Sequence, residues 1–421
     1  MKILRKHHRE YDDLAKTTPS GTKKISVILP ARNEHQTIGR YLPEFAELME
    51  AGFIHEIILA DSSDDGRTIN EFLSSAIKTE PFASMIALAK EKGLPLPVKA
   101  VSVFDPRFEK LFGKKTVEPG KAPGKGRTMY VGMAVATGDH FIFLDSDFFN
   151  IHPRFLNGLI GPIEKEDAQL VKATFELEDE WQTVIDFCNE EGRVIPTCDT
   201  LLNSCVSRNL ARPLMQLLND IGTHPGVNEF EGPISGGYGA SADIWKNMRI
   251  PTRYGIEVYS LMQISNLLDE AALAIDVNLG IVDQTSTELE GKKMIGKNII
   301  GAYFRALKED FPETFSQIVK NPRIFKLNFT KVASLNSVHV DDVEQVRLYG
   351  DLIEERLVDT SILNKTLILP ELNANSYYSE NKFLIHSMAN DFTVERVNIL
   401  LDSFKENESF VKPSVESSIS F

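Results

Sequence analysis

Cysteine is scarce in this sequence: Cys188, Cys198 and Cys205 are the three in 421 residues. An odd, sparse count excludes a disulfide framework and suits a reducing cytoplasm. The spacing is also wrong for a paired-cysteine metal knuckle, so the thiols read as small buried groups. Long apolar runs are missing, and none approaches the roughly 20 residues needed to cross a bilayer. The opening MKILRKHHREYDDLAK has basic residues but no apolar stretch behind them, which excludes a secretory signal. Positive charge is in deficit. A formal net charge of -14 makes general binding to nucleic acid or anionic membrane a poor fit. Neither GxGxxG nor a P-loop occurs, which disfavours a Rossmann dinucleotide site and a P-loop NTPase. With 42% hydrophobic residues, the chain suits a soluble globular protein of roughly two or three domains.

Residues 1–23 are polar and charged and read as a mobile arm or an appended helix. Ile25 to Leu29 then form a β-rich run bounded by Pro30, the pattern of a buried strand. Asn33 suits a helix N-cap, and Ile38, Tyr41, Leu42 and Phe45 share one helical face before Gly52. Ile57 to Ala60 make a second strand with Asp61 at its carboxyl end, so a parallel pair is expected. Residues 67–92 read as helix, Lys99 to Val103 as a third strand, Thr128 to Ala136 as a short helix and His140 to Leu144 as a fourth strand. The alternation predicts an α/β fold with a doubly wound, mainly parallel sheet and ligands at the strands' carboxyl ends. The expected α/β domain spans 24–290. Helical periodicity with few strand signals places a helical C-terminal region at 291–404, and the polar 405–421 reads as a disordered tail.

Three polar signals fall at those strand ends: Asn33-Glu34, Asp61-Ser62 and Asp145-Ser146-Asp147. Phe141 to Leu144 run into Asp145-Ser146-Asp147, two carboxylates that repel unless a cation relieves them. A hard divalent cation, Mg²⁺ or Mn²⁺, takes such oxygen ligands and brings phosphates with it. Between Arg107 and Arg127, seven Lys or Arg stand against two acids, closing on Pro123-Gly124-Lys125-Gly126-Arg127. The glycines permit backbone approach, and Lys125 supplies a point charge for phosphate. Pro30-Ala31-Arg32-Asn33-Glu34 leaves the first strand with groups suited to a base and ribose, and Asp61 suits hydrogen bonds from the same nucleoside. A nucleoside diphosphate lying across the strand ends accounts for the set better than separate turns do.

VILPARNE, ILADSSDDG, PGKG before a helix and FLDSD, in this order and spacing, resemble the GT-A glycosyltransferases of the family 2 type. Further along, YGIEVYSL followed by DVNLGI, with PISGGYGAS and ARPL, is similar to the glucosyl-3-phosphoglycerate synthases and their mannosyl relatives, the retaining family 81. The resemblance covers roughly residues 25–285. It implies a nucleotide-sugar-binding and catalytic domain with a GT-A fold. A hexose, glucose or mannose, would pass from UDP-glucose or GDP-mannose to a small hydroxy acid such as 3-phosphoglycerate or glycerate. Pro30, Ala31 and Glu34 would meet the nucleoside with help from Ser62, and Lys125 the diphosphate. Asp145 would hold the ribose or sugar beside Ser146, and Asp147 the Mg²⁺ or Mn²⁺. Tyr238 and Glu257 would lie on the sugar and acceptor side. Related enzymes are commonly dimers, so a cytoplasmic homodimer is implied.

Three departures accompany the match. Gln284 stands where the family carries a metal-binding His, which leaves the metal to Asp147, diphosphate and water, or to another residue such as His224. The acceptor-phosphate Gly-Arg-x-Thr aligns with Ser204-Cys205-Val206-Ser207, without its Arg, and Arg208 or Arg193 are the available substitutes. The family's Gly-Gly-Glu-Tyr reads Gly236-Gly237-Tyr238. Two other classes compete. A nucleotidyltransferase would open with a glycine-rich loop, which PARNE lacks. A non-catalytic sugar-nucleotide-binding protein would not require Asp145, Asp147 and Lys125, all present. His339 and His386 read as structural or surface residues, and Phe148-Phe149 as core packing.

Overall fold

The apolar runs that end in polar residues lie side by side. The computed structural model describes residues 1–112, 124–177, 206–284, 289–335, 340–365 and 367–410. Its strands are β1 (Lys2–His7), β2 (Ile25–Ala31), β3 (Glu56–Asp61), β4 (Val98–Ser102), β5 (His140–Phe143), β6 (Leu170–Leu177), β7 (Tyr238–Ser241), β8 (Ile250–Pro251), β9 (Leu273–Val282) and β10 (Ile368–Leu369). Eight of them form one sheet in the order β1-β9-β6-β7-β5-β2-β3-β4. All its pairings are parallel except those of β7, which enters antiparallel between β5 and β6.

Both faces of this sheet are covered at its centre, where β2, β3 and β5 carry mostly apolar residues on both sides rather than at alternate positions. Ile25, Val27, Leu29, Ile57 and Leu59 pack into one core with the helices Tyr41–Glu50, Arg67–Lys78 and Pro153–Glu166. Ile28, Ile58 and Ala60 face the other way, onto the helices Lys125–Val135 and Ile256–Leu267. Each fully buried aliphatic side chain contributes about 1.5–3 kcal/mol. The doubly wound, mainly parallel α/β sheet is therefore as expected. The helix expected over 67–92 is two helices, Arg67–Lys78 and Phe82–Lys92, divided at Pro81.

The N-terminal segment departs from expectation. Residues 1–23 are neither an arm nor an added helix: β1 is the sheet's edge strand, paired in parallel with β9, and Tyr11 and Leu14 are buried behind it. The partner lies more than 260 residues away in sequence, so no local pattern announces the pairing.

The helical C-terminal region is present but serves two places. The helices Leu289–Asp310, Pro312–Lys320, Pro322–Ser334 and Val340–Val358 build a third core on Leu214, Leu218, Tyr259 and Met262. The helix Ser376–Phe410 instead returns to the far edge of the sheet. There the Thr393 hydroxyl receives the Ala100 backbone N–H at 3.0 Å, and Asn390 Oδ1 receives that of Leu96 at 2.8 Å. The exposed side of β4 is thus capped by a helix, which blunts an edge strand. The tail expected from 405 is helical as far as Phe410, and 411–421 lie outside the described residues. So do the three cysteines, His339 and the basic residues Lys114, Lys115 and Lys121.

Candidate active site

The carboxyl ends of β2, β3 and β5 meet through side chains that fix backbone. Thr37 Oγ1 donates to the Ser146 carbonyl at 2.6 Å, Tyr41 OH donates to that of Asp145 at 2.8 Å, and the same hydroxyl receives the Phe148 N–H at 3.1 Å. Ser146 Oγ donates to the Pro30 carbonyl at 2.8 Å and Ser62 Oγ to the Ala31 carbonyl at 3.1 Å. The hydroxyl protons of Ser62 and Ser146 are thus spent within the fold. Phe148 is buried against Phe155 and Phe175, the core role read from the sequence.

Lys125 opens the helix Lys125–Val135, and its ammonium lies 2.6 Å from Asp145 Oδ1 and 2.7 Å from Glu257 Oε1. Burial alone would draw its pKa down, but the two carboxylates outweigh that and hold it above the ordinary value. The glycines flanking Lys125 serve packing. A Cβ on Gly126 would stand 1.7 Å from the Pro251 carbonyl, and Gly124 adopts a φ of +83° against Thr252. Among the other basic residues of that segment, Arg107 pairs with Asp105, Lys110 lies over Tyr377 and Arg127 over Phe112.

Asp145 and Asp147 differ in their protein partners. Asp145 has Lys125, whereas Asp147 Oδ1 is buried with no hydrogen-bond partner. Burial, then the charge of Asp145, pushes Asp147 up to about 7. Glu34 is likewise pushed up to about 7 by burial, Asp147 and Asp145. An orphaned carboxylate oxygen in a cluster of raised acids is the donor chemistry of a hard divalent cation. Among the described residues no three His, Cys, Asp or Glu side chains assemble as a complete metal cage, so Asp147 fits as one ligand of several. Gln284 forms a β-bridge with Phe148, which sets it beside this acid. His224 is elsewhere, buried against Phe311 in the helical layer, where burial draws it down to about 4.

At the ends of β2 and β3, Pro30 and Ala31 are buried, and Asp61 Oδ1 receives the Ser63 hydroxyl at 2.5 Å. Burial pushes Asp61 up to about 6 despite the bonds from Ser63. Asp61 also lines a groove of about 910 Å³ with Arg32, Ser63, Phe104, Arg107 and Arg396.

Two expected roles meet different surroundings. Tyr238 is wholly buried, and its hydroxyl donates to the Glu257 backbone carbonyl at 2.7 Å, so its polar end is spent within the fold. Arg208, a substitute for the missing acceptor arginine, is buried 3.6 Å from Asp342 in the helical layer; Arg193, Ser204 and Cys205 lie outside the described residues. Lys172 on β6 stands beside this cluster without a motif to mark it. Its ammonium is 4.0 Å from the Tyr238 ring centroid and 2.5 Å from the Ser235 carbonyl. Burial draws its pKa down to about 7, against the pull of Glu257 and Asp276. The only sequence signal was a lysine inside an otherwise apolar run, LVKATF.

No protein-family model matches the chain. It is 26% identical over 286 residues to glucosyl-3-phosphoglycerate synthase of Mycobacterium tuberculosis, covering 66% of this chain and 72% of that protein. The enzyme of the same name from Petrotoga mobilis is 26% identical over 286 residues, covering 66% and 73%. Among solved structures, mannosyl-3-phosphoglycerate synthase from Rubrobacter xylanophilus superposes with a TM-score of 0.52 at 20% identity, over 72% of this chain and 81% of that one, and so shares the fold. The Mycobacterium tuberculosis enzyme in complex with Mn²⁺, UDP-glucose and phosphoglyceric acid gives a TM-score of 0.49 at 26% identity, over 70% and 82%.

Proposed function

We infer that this chain, a relative of the glucosyl-3-phosphoglycerate synthases on a GT-A fold, is a metal-dependent hexosyltransferase. It moves glucose or mannose from a nucleoside-diphosphate sugar to a small hydroxy acid of the phosphoglycerate type, with retention at the anomeric carbon. The observation that carries the reading is Lys125 held between Asp145 and Glu257, beside the unpartnered carboxylate of Asp147. The relative from Mycobacterium tuberculosis, similar over 286 residues, supports it through the ligands of its own complex.

In this reading Asp61 and Glu34 receive hydrogen bonds from the nucleoside, and the Lys125 ammonium meets the diphosphate. Asp147, with Gln284 alongside, would hold Mn²⁺ or Mg²⁺. Bound there, the cation neutralises charge that gathers on the departing diphosphate. Glu257 faces the sugar and steadies positive charge at the anomeric carbon, while Asp145 keeps Lys125 and the sugar in register. UDP-glucose is the first choice of donor and GDP-mannose the second. The proposal includes a homodimer acting in the cytoplasm, which sedimentation of the full chain and cell fractionation check.

The test is to incubate the protein with UDP-glucose or GDP-mannose, Mn²⁺ or Mg²⁺, and 3-phosphoglycerate or glycerate, following nucleotide release and the new glycosidic proton by NMR. Metal-dependent release with one acceptor is the expected result. Nucleotide-sugar binding with no release under any pairing would favour a non-catalytic sugar-nucleotide receptor instead.

A further inference from the structure

Lys172 is a full-length cation buried where a strand ordinarily places an apolar residue. Three of its contacts lead to the charged cluster. Its ammonium donates to both the carbonyl and the hydroxyl of Ser235, and that hydroxyl donates in turn to the Ala173 carbonyl. Ser235 immediately precedes Gly236, whose backbone lies so near Asp145 that an added Cβ would fall 2.0 Å from its Oδ2. The same ammonium rests over the face of Tyr238, whose hydroxyl holds the Glu257 carbonyl at 2.7 Å. One buried cation therefore anchors two branches. The first runs through Ser235 and Gly236 to Asp145, the second through Tyr238 to Glu257, and both end on Lys125.

We propose that Lys172 is a positioning residue, whose bonds to Ser235 and packing on Tyr238 hold Asp145 and Glu257 in place around Lys125. The strand register makes this possible, since Lys172 pairs with Tyr238 on β7 and with Asp276 on β9. Asp276 is occupied by the Thr174 hydroxyl and the Glu231 N–H, at 2.7 Å each, so the charge of Lys172 is not tied up in a direct ion pair there. A buried lysine with no ion-pair partner among the described residues costs desolvation. Two hydrogen bonds and an aromatic face offset part of that cost.

The kinetic part of this inference rests on the hexosyltransferase reading; the structural part does not. Lys172→Met keeps the stem and removes the charge. It should lower kcat about tenfold or more, the scale of a small misplacement of reacting groups. The KM for the donor should change little, and Lys172→Arg, which keeps the charge, should recover part of the loss. A kcat unchanged in folded Lys172→Met would overturn the inference. Should that variant not fold, Ser235→Ala, which removes the hydroxyl acceptor, is measured in its place with the same expected split. A crystal structure of either variant decides independently of turnover. Asp145 or Glu257 parted from Lys125 supports positioning, and an unmoved trio refutes it. An inactive wild type would count against the hexosyltransferase reading alone.

Discussion

A single methyl group at Gly236 probes the arrangement around Asp145. A Cβ built there lies 2.0 Å from Asp145 Oδ2 and 2.1 Å from its Cγ, where ordinary contacts begin at 3.4 Å. In Gly236→Ala the carboxylate must therefore retreat by about 1.4 Å. Its bond to Lys125, now 2.6 Å, stretches to about 4 Å, outside hydrogen-bond range. The displaced atoms are the end of a side chain, so the fold should persist. A shift of this size among reacting groups costs on the order of 10²-fold in rate, or about 2.7 kcal/mol of barrier. The assay is the initial rate of hexose transfer beside a thermal melt of the same preparation. The expected outcome is a large fall in kcat at an unchanged melting temperature. Transfer at the wild-type rate would refute the reasoning, because the Asp145–Lys125 contact would then be dispensable.

Asp147→Asn should abolish the rise in melting temperature that Mn²⁺ gives in the presence of UDP. It should leave the unliganded protein equally or more stable, since it removes a carboxylate whose ionised form is disfavoured by burial and by the charge of Asp145; differential scanning fluorimetry reads both. Asp61, raised to about 6, should make UDP-glucose affinity strengthen as pH rises through that value, because its ionised form is the better acceptor; calorimetry should find this dependence absent in Asp61→Asn. The unliganded fold responds with the opposite sign. An unfolded Asp titrates near about 3.9, so in the window up to its native value the folded state holds more protons, and Asp61's contribution to stability falls as pH rises. Thr393→Val leaves the buried Ala100 N–H without its acceptor and should cost about 1–3 kcal/mol in urea unfolding.

The strand ends around Pro30, Asp61 and Asp145 were legible because each follows an apolar run whose local pattern needs no partner to be read. β1 was not, since KILRKH is polar and its pairing with β9 is set by the whole sheet. Helical periodicity marked the C-terminal helices, but it names a face and not the surface that receives it. That is why Ser376–Phe410 was not expected on β4. The pair of aspartates suggested a shared metal. The sequence could not show that Lys125, some twenty residues earlier, reaches Asp145 first. Lys172 stayed hidden for a related reason: a lysine in a strand reads as a solvent-facing residue until β7 is laid beside it.

An ammonium carries three protons. In this protein two of those on Lys125 are directed at Asp145 and Glu257, which leaves one unassigned among the described residues. An incoming phosphate oxygen can accept a hydrogen bond from that third N–H without either carboxylate letting go. In the proposed reaction donor arrival would then complete a tripod instead of dismantling an ion pair, and the cost of rearranging charge before the sugar moves would be largely avoided.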